Sequence, residues 1–175
     1  MRNWKTANPD LVKEVLREGE VYLQGQLTLA TSADQRAAVL GGIYTAAAAA
    51  IIAGLIAALT TGQISAAISV GGILSAGLFL IAAGLCISTV LPADFYLPGN
   101  HPENWYEDID ANRDLLESLG EEAEHYQESI NKNHTFLKRN AGRFRWGAIS
   151  GLAAPIVGFI SWFLLSIDWT TFSAG

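Results

Sequence analysis

The residues best suited to chemistry are Glu122 and His125, which form a Glu-x-x-His unit. In di-iron bundles this spacing turns both side chains to one side of a helix, and a second copy with further carboxylates on facing helices completes the site. No second Glu-x-x-His occurs, so the pair reads as part of an exposed acidic helix, and no metal or other cofactor is expected. His101 in a Pro-flanked loop and His134 among Asn and Lys are expected to face solvent. The single cysteine, Cys86, lies in an apolar run, where it is an inert thiol with no disulfide partner in the chain. Paired cysteines, phosphate-cradling glycine loops and nucleophile elbows are absent, so no catalytic residue and no enzyme is expected.

The elements that would hold such residues are mostly apolar. Half the 175 residues are hydrophobic and 16% are charged, below the quarter or so of a soluble domain. The apolar residues fall into three uncharged runs: 37–59, 64–91 and 146–167. Each covers a hydrocarbon core of about 30 Å as a helix. The second is longer than needed and should tilt or extend past one interface. Only Thr60 to Gln63 separates the first two, which forces an antiparallel hairpin with a tight turn. Pro155 near the middle of the third run should kink it, with Ser150 in range of the freed carbonyl. Trp146, Trp162 and Trp169 stand towards its ends as an aromatic belt. About 36 mostly polar residues precede the first run, which is therefore expected to be a retained anchor rather than a secretory signal.

The expected fold class is an all-α integral membrane protein: three transmembrane helices, as a tight hairpin plus a C-terminal span, with a small cytoplasmic helical module. Its parts are an amphipathic N-terminal helix (1–36), the hairpin (37–91), an acidic helical module (92–145), the third span (146–167) and an external tail (168–175). Orientation follows from the basic residues, which are enriched on cytoplasmic flanks. All 11 lie in 1–36 or 92–145, on one side of a three-span chain, and the turn and tail hold none. The N-terminus is thus expected in the cytoplasm of a bacterial inner membrane and the C-terminus in the periplasm or outside. A net charge of −6 argues against nucleic acid as a partner, since its phosphates need a basic surface.

In the N-terminal segment Asn8 followed by Pro9 signals a helix start. Leu11, Val12, Val15, Leu16, Tyr22, Leu23 and Leu27 recur at helical spacing, for a face that packs on the protein's second polar module or lies on the membrane or a partner. Gly19, Gly25 and Thr31-Ser32 should weaken this helix locally. After the second span, Pro92, Pro98, Gly99, Asn100 and Pro102 give an extended exit. A helix from about Glu103 follows, with a break allowed at Gly120, and then one long helix from Glu121 into the third span. Charge is polarised along this stretch: Glu103 to Glu128 holds ten acidic residues and one basic, Lys132 to Arg145 five basic and no acidic. Lys138, Arg139, Arg143 and Arg145 therefore read as lipid headgroup contacts, with an anionic signalling ligand as the sharper alternative.

No ionisable residue lies within any of the three runs, so a proton path or charge-lined channel is not indicated. Small residues are the informative feature there. Gly42, Ala46, Ala50, Gly54 and Ala58 follow one another every four positions, a ridge that lets another helix approach closely. Gly147-x-x-x-Gly151 repeats the pattern in the third span, and Ala67, Gly71 and Ser75 in the second. These ridges either pack the three helices together or reach a partner: a homo-oligomer or other membrane subunits.

Ala33-Asp34-Gln35-Arg36-Ala37, placed just before the first span, resembles the Ala-Asp-x-Lys/Arg-Ala element of transmembrane effectors in bacterial cyclic-nucleotide antiphage systems, of the Pycsar and related CBASS type. The layout is similar as well: polar N-terminal helix, hairpin with a minimal turn, Pro-containing exit, helical module with Tyr126 and Ile130 in a Tyr-x-x-x-Ile pattern, and a last apolar helix. The resemblance implies a protein that oligomerises and disrupts the inner membrane on a nucleotide signal. The acidic module departs from it as a surface for an anionic nucleotide, and no nucleotide-binding residue can be assigned. The competing reading is an accessory or structural subunit of a larger membrane complex.

Overall fold

The computed structural model describes residues 4–62 and 64–167. Among these it contains helices and turns and no strand. Helix α1 spans Pro9–Thr60, α2 Ala66–Val90, α3 Tyr106–Asp110 and α4 Leu115–Ser166, with short 3-10 turns at Trp4–Thr6 and Pro102–Trp105. The chain groups into two compact units: Met1–Ala33 with Pro92–Arg139, and Asp34–Leu91 with Asn140–Gly175. Trp169 and the tail from 168 onward lie outside the described residues.

The start of α1 is where the Asn-Pro signal puts it. The Asn8 side-chain oxygen accepts from the backbone N–H groups of Asp10 at 2.9 Å and Leu11 at 3.4 Å, satisfying donors that the first turn leaves open. The expected weakening at Gly19, Gly25 and Thr31-Ser32 does not occur: α1 is unbroken for 52 residues. Gly19 lies against the Tyr126 ring, so its lack of a side chain serves packing rather than a break.

In the first unit, Val12, Leu16, Gly19, Leu23, Gln26 and Ala30 of α1 are buried or half-buried. On α4, so are Glu122, Tyr126, Ser129, Asn133 and Phe136. Both sets step by alternating fours and threes, the spacing of a helix–helix seam. The N-terminal segment of α1 thus packs on the protein's own module, while Leu11, Val15 and Tyr22 are exposed. The break expected at Gly120 falls earlier. Asn112 takes a left-handed φ of 48° after α3, and Asp114 starts α4 by accepting from the Leu116 N–H at 2.8 Å. Gly120 is inside α4 instead, and a Cβ there would collide with the Trp4 indole. Trp4 is anchored by its Nε1–H, which donates to Glu124 at 3.0 Å, and Lys5 pairs with Glu117 at 3.2 Å.

Three helices, α1, α2 and α4, are long and apolar enough to cross a membrane, and the second unit takes in α2 with the parts of α1 from Asp34 and of α4 from Asn140. Their apolar windows have mean hydropathies of 2.1, 2.3 and 2.0, yet only 11%, 33% and 17% of those windows is buried. Large side chains such as Ile56, Ile73, Leu152 and Phe159 are exposed, an arrangement that water would penalise and hydrocarbon would not. Gly62, at a φ of +66°, closes α1, and Ser65 caps α2 by accepting from the Ile68 N–H at 3.3 Å. Ile64 and Ser65 therefore belong to the turn, and the 25 residues of α2 span about 37 Å, still more than the hydrocarbon core. Pro155 lies inside α4, which continues to Ser166.

Candidate functional site

Helix packing in the second unit depends on the absence of side chains. A Cβ on Gly71 would lie 2.6 Å from the Gly158 carbonyl oxygen, and one on Gly158 would lie 2.9 Å from the Ser75 Cβ, so α2 and α4 meet there nearly backbone to backbone. Gly147 rests on Cys86 and Ala82: an added Cβ would stand 3.0 Å from the Cys86 Sγ. At Gly151 a Cβ would run into the Tyr44 ring. Tyr44, Ala82, Ala83 and Cys86 form the buried cluster beside these glycines, with Leu40, Phe79 and Phe144 packed on it. The last turn of α2 is closed by α4 residues of the same unit. The Asn140 side chain donates to the Thr89 carbonyl at 3.1 Å and Arg143 to the Ser88 carbonyl at 3.4 Å.

The first-span ridge has a different environment. Gly42, Ala46, Ala50 and Gly54 are exposed, Ala58 is half-buried, and a Cβ on Gly42 or Gly54 would meet open space. The unit packs α1 through another side, using Ala37, Gly41, Tyr44, Ala48 and Leu55. Of the three small-residue patterns, those of α2 and α4 are filled from within the unit and that of α1 is left open. Trp162 lies close to Gly71, and Trp146 is exposed.

The first unit carries a polar cavity of about 640 Å³. Trp105, Asn100 and Tyr126 line it together with the carboxylates of Glu107, Asp108, Glu121 and Glu122, against the single guanidinium of Arg113. Arg113 is already engaged, donating to Asp108 at 3.1 Å and to Glu121 at 2.7 Å. Glu122 is buried rather than on an exposed face, and accepts from the Asn100 side chain at 2.8 Å. Burial raises its carboxyl above the ordinary range, against the attraction of His125. The Tyr126 hydroxyl donates to Glu20 at 3.1 Å and is pushed up to about 12, first by burial and then by that carboxylate. Such walls disfavour an anionic ligand. No group of three or more His, Cys, Asp or Glu residues among the described ones could hold a metal ion.

Lys138, Arg139, Arg143 and Arg145 are all exposed. His101, His125 and His134 are exposed too. Motif reasoning missed the buried polar residues. Asn133, 1% exposed, accepts from the Tyr96 N–H at 3.0 Å and donates to the Tyr96 carbonyl at 2.9 Å, so both backbone groups of an irregular segment are satisfied by one amide. Gln26 donates to the Ile130 carbonyl at 3.2 Å. The four-and-three register that places both residues in the seam is the signal that could have found them.

An all-helical chain whose apolar helices keep most of their surface outside the protein's own interior is a helical membrane protein. The family model of the Pycsar effector protein domain, a transmembrane domain, matches residues 23–167, and the chain belongs to this family. No curated protein and no solved structure matches it. The matched range takes in the Ala33-to-Ala37 element, the three apolar runs and the whole of 92–145. Asp34 is half-buried in α1, and burial raises its carboxyl. The family places the chain among membrane effectors of antiviral defence, and its domain is not a known catalytic one.

Proposed function

We propose that this chain is a non-enzymatic antiphage effector of the bacterial inner membrane. It assembles into a homo-oligomer through the open face of its first span and breaches the bilayer when an infection signal arrives. The family match over 23–167 carries this reading. The open ridge at Gly42, Ala46, Ala50 and Gly54 supports the assembly step, because close helix approach in lipid relies on such residues. The placement of all 11 basic residues before residue 37 or within 92–145 supports three passes with a cytoplasmic N-terminus and an external C-terminus. Lys138, Arg139, Arg143 and Arg145 then stand at the level of the cytoplasmic headgroups, where each is worth about 1 kcal/mol against anionic lipid.

The signal in this reading is a cyclic nucleotide, but the acidic cavity of the first unit is a poor place for it. Dye release from vesicles carrying the full chain, with and without cyclic nucleotides, tests the breach. Release that depends on the nucleotide is the expected result. Sealed vesicles under every nucleotide would contradict it and leave the accessory-subunit reading.

A further inference from the structure

We infer that the first unit carries a headgroup site for a zwitterionic aminophospholipid, in the groove where the chain leaves the second span. The groove has a volume of about 620 Å³ and is lined by the 93–96 segment and by α4 from Glu128 to Arg139. Its charges are of both signs: Asp94 and Glu128 against Lys132 and Arg139. Two of them cancel, since Lys132 pairs with Glu128 at 2.6 Å while lying 5.0 Å above the Tyr96 ring.

The other two are left over. Among the described residues Arg139 has no carboxylate partner, only the Phe136 ring 5.6 Å away, and Asp94 is exposed with no basic partner. One unpaired guanidinium and one unpaired carboxylate in a single groove complement a phosphate joined to an ammonium group. A purely anionic headgroup would gain Arg139 but be repelled by Asp94.

The wall is preorganised. Asn133 holds both backbone groups of Tyr96, and Phe95 packs edge-on against Phe136 at 6.1 Å, so the 93–96 segment has a fixed position. Asp94 follows closely on Leu91, the C-cap of α2, and Arg139 is about two helical turns before Trp146. Both charges are thus near the ends of apolar helices, where lipid headgroups lie. The inference rests on the membrane placement in the proposed function but not on assembly or leakage.

The test uses the full chain in nanodiscs of equal phosphatidylethanolamine and phosphatidylglycerol, with retained lipid counted by native mass spectrometry. The unaltered chain is expected to prefer phosphatidylethanolamine over phosphatidylglycerol about fivefold more than Asp94→Asn does, the discrimination one charge at headgroup level supplies. Asp94→Asn, a near-isosteric change at an exposed position, removes that margin, and Arg139→Gln lowers retention of both lipids. Lys13→Gln, at an exposed position of the N-terminal part of α1 and outside the groove, leaves the preference intact. A preference that Asp94→Asn leaves standing, or retention of both lipids that Arg139→Gln leaves undiminished, would each overturn the site.

Discussion

The same two helices, α1 and α4, pack in both units, with opposite solutions. In the first unit the seam holds large and polar side chains: Leu23, Tyr126, Gln26, Asn133 and Glu122. In the second, Gly151 of α4 receives the Tyr44 ring of α1, and the neighbouring α4 glycines Gly147 and Gly158 meet α2 at Cys86, Ala82, Ser75 and Gly71. The difference follows from the surroundings. Where water is outside, burying apolar area stabilises the seam, and hydrogen-bonded polar groups fix its register. Where lipid is outside, apolar area gains nothing by leaving it, so close van der Waals contact between small residues becomes the main attraction.

The sharpest way to break this comparison is to enlarge a glycine that a neighbour already fills. Gly151→Leu should destabilise the second unit by about 3 kcal/mol or more, because the Tyr44 ring stands where the side chain would go. Thermal unfolding in detergent reads this directly, and a midpoint equal to that of the parent chain would refute the close packing. Gly54→Leu is the paired control: its Cβ meets open space, so the midpoint should hold while any assembly through that face weakens.

In the first unit Asn133→Ala should cost about 2 to 3 kcal/mol, since it strips both backbone groups of Tyr96 of their partner. The Tyr96 amide should then lose its hydrogen-exchange protection, and retained protection would mean that another group takes over. Trp4→Ala is expected to cost about 1 to 2 kcal/mol, by emptying the site over Gly120 and removing the hydrogen bond from Trp4 to Glu124; limited proteolysis near Ala7 reads it out.

The smallest effect is on pH. The Glu122 carboxyl is raised in the folded chain, so the fold binds its proton more tightly than the unfolded chain does. The resulting stability is complete below the ordinary carboxylate range and is lost as pH rises through the raised value. Glu122→Gln should flatten that slope in the denaturation midpoint of the first unit and add a little stability at neutral pH. Glu14 and Glu128, held low by Arg17 and Lys132, act in the opposite sense from exposed positions. A slope unchanged in Glu122→Gln would show that other groups set it.

The apolar helices, their hairpin and the Asn8 cap were legible because uncharged length and cap chemistry are local properties. The long helix into the third span was legible in the same way. Gly120 and Gly19 were misread as weak points because a glycine's meaning depends on what approaches it, here Trp4 and Tyr126, and each of these lies more than a hundred residues away in the chain. Glu122 was misread as exposed for a similar reason: its cavity is built by Asn100 and Tyr126. The three small-residue patterns looked alike in the sequence, and only packing separated the two that the unit itself fills from the one it leaves open.

That open face is the centre of the account, and the mass of the particle in native nanodiscs, for the parent chain and for Gly54→Leu, tests it most directly. The account predicts a homogeneous homo-oligomer of the parent chain and a smaller particle from the variant. A monomer, a particle containing other proteins, or a variant of undiminished mass would contradict assembly through the first span.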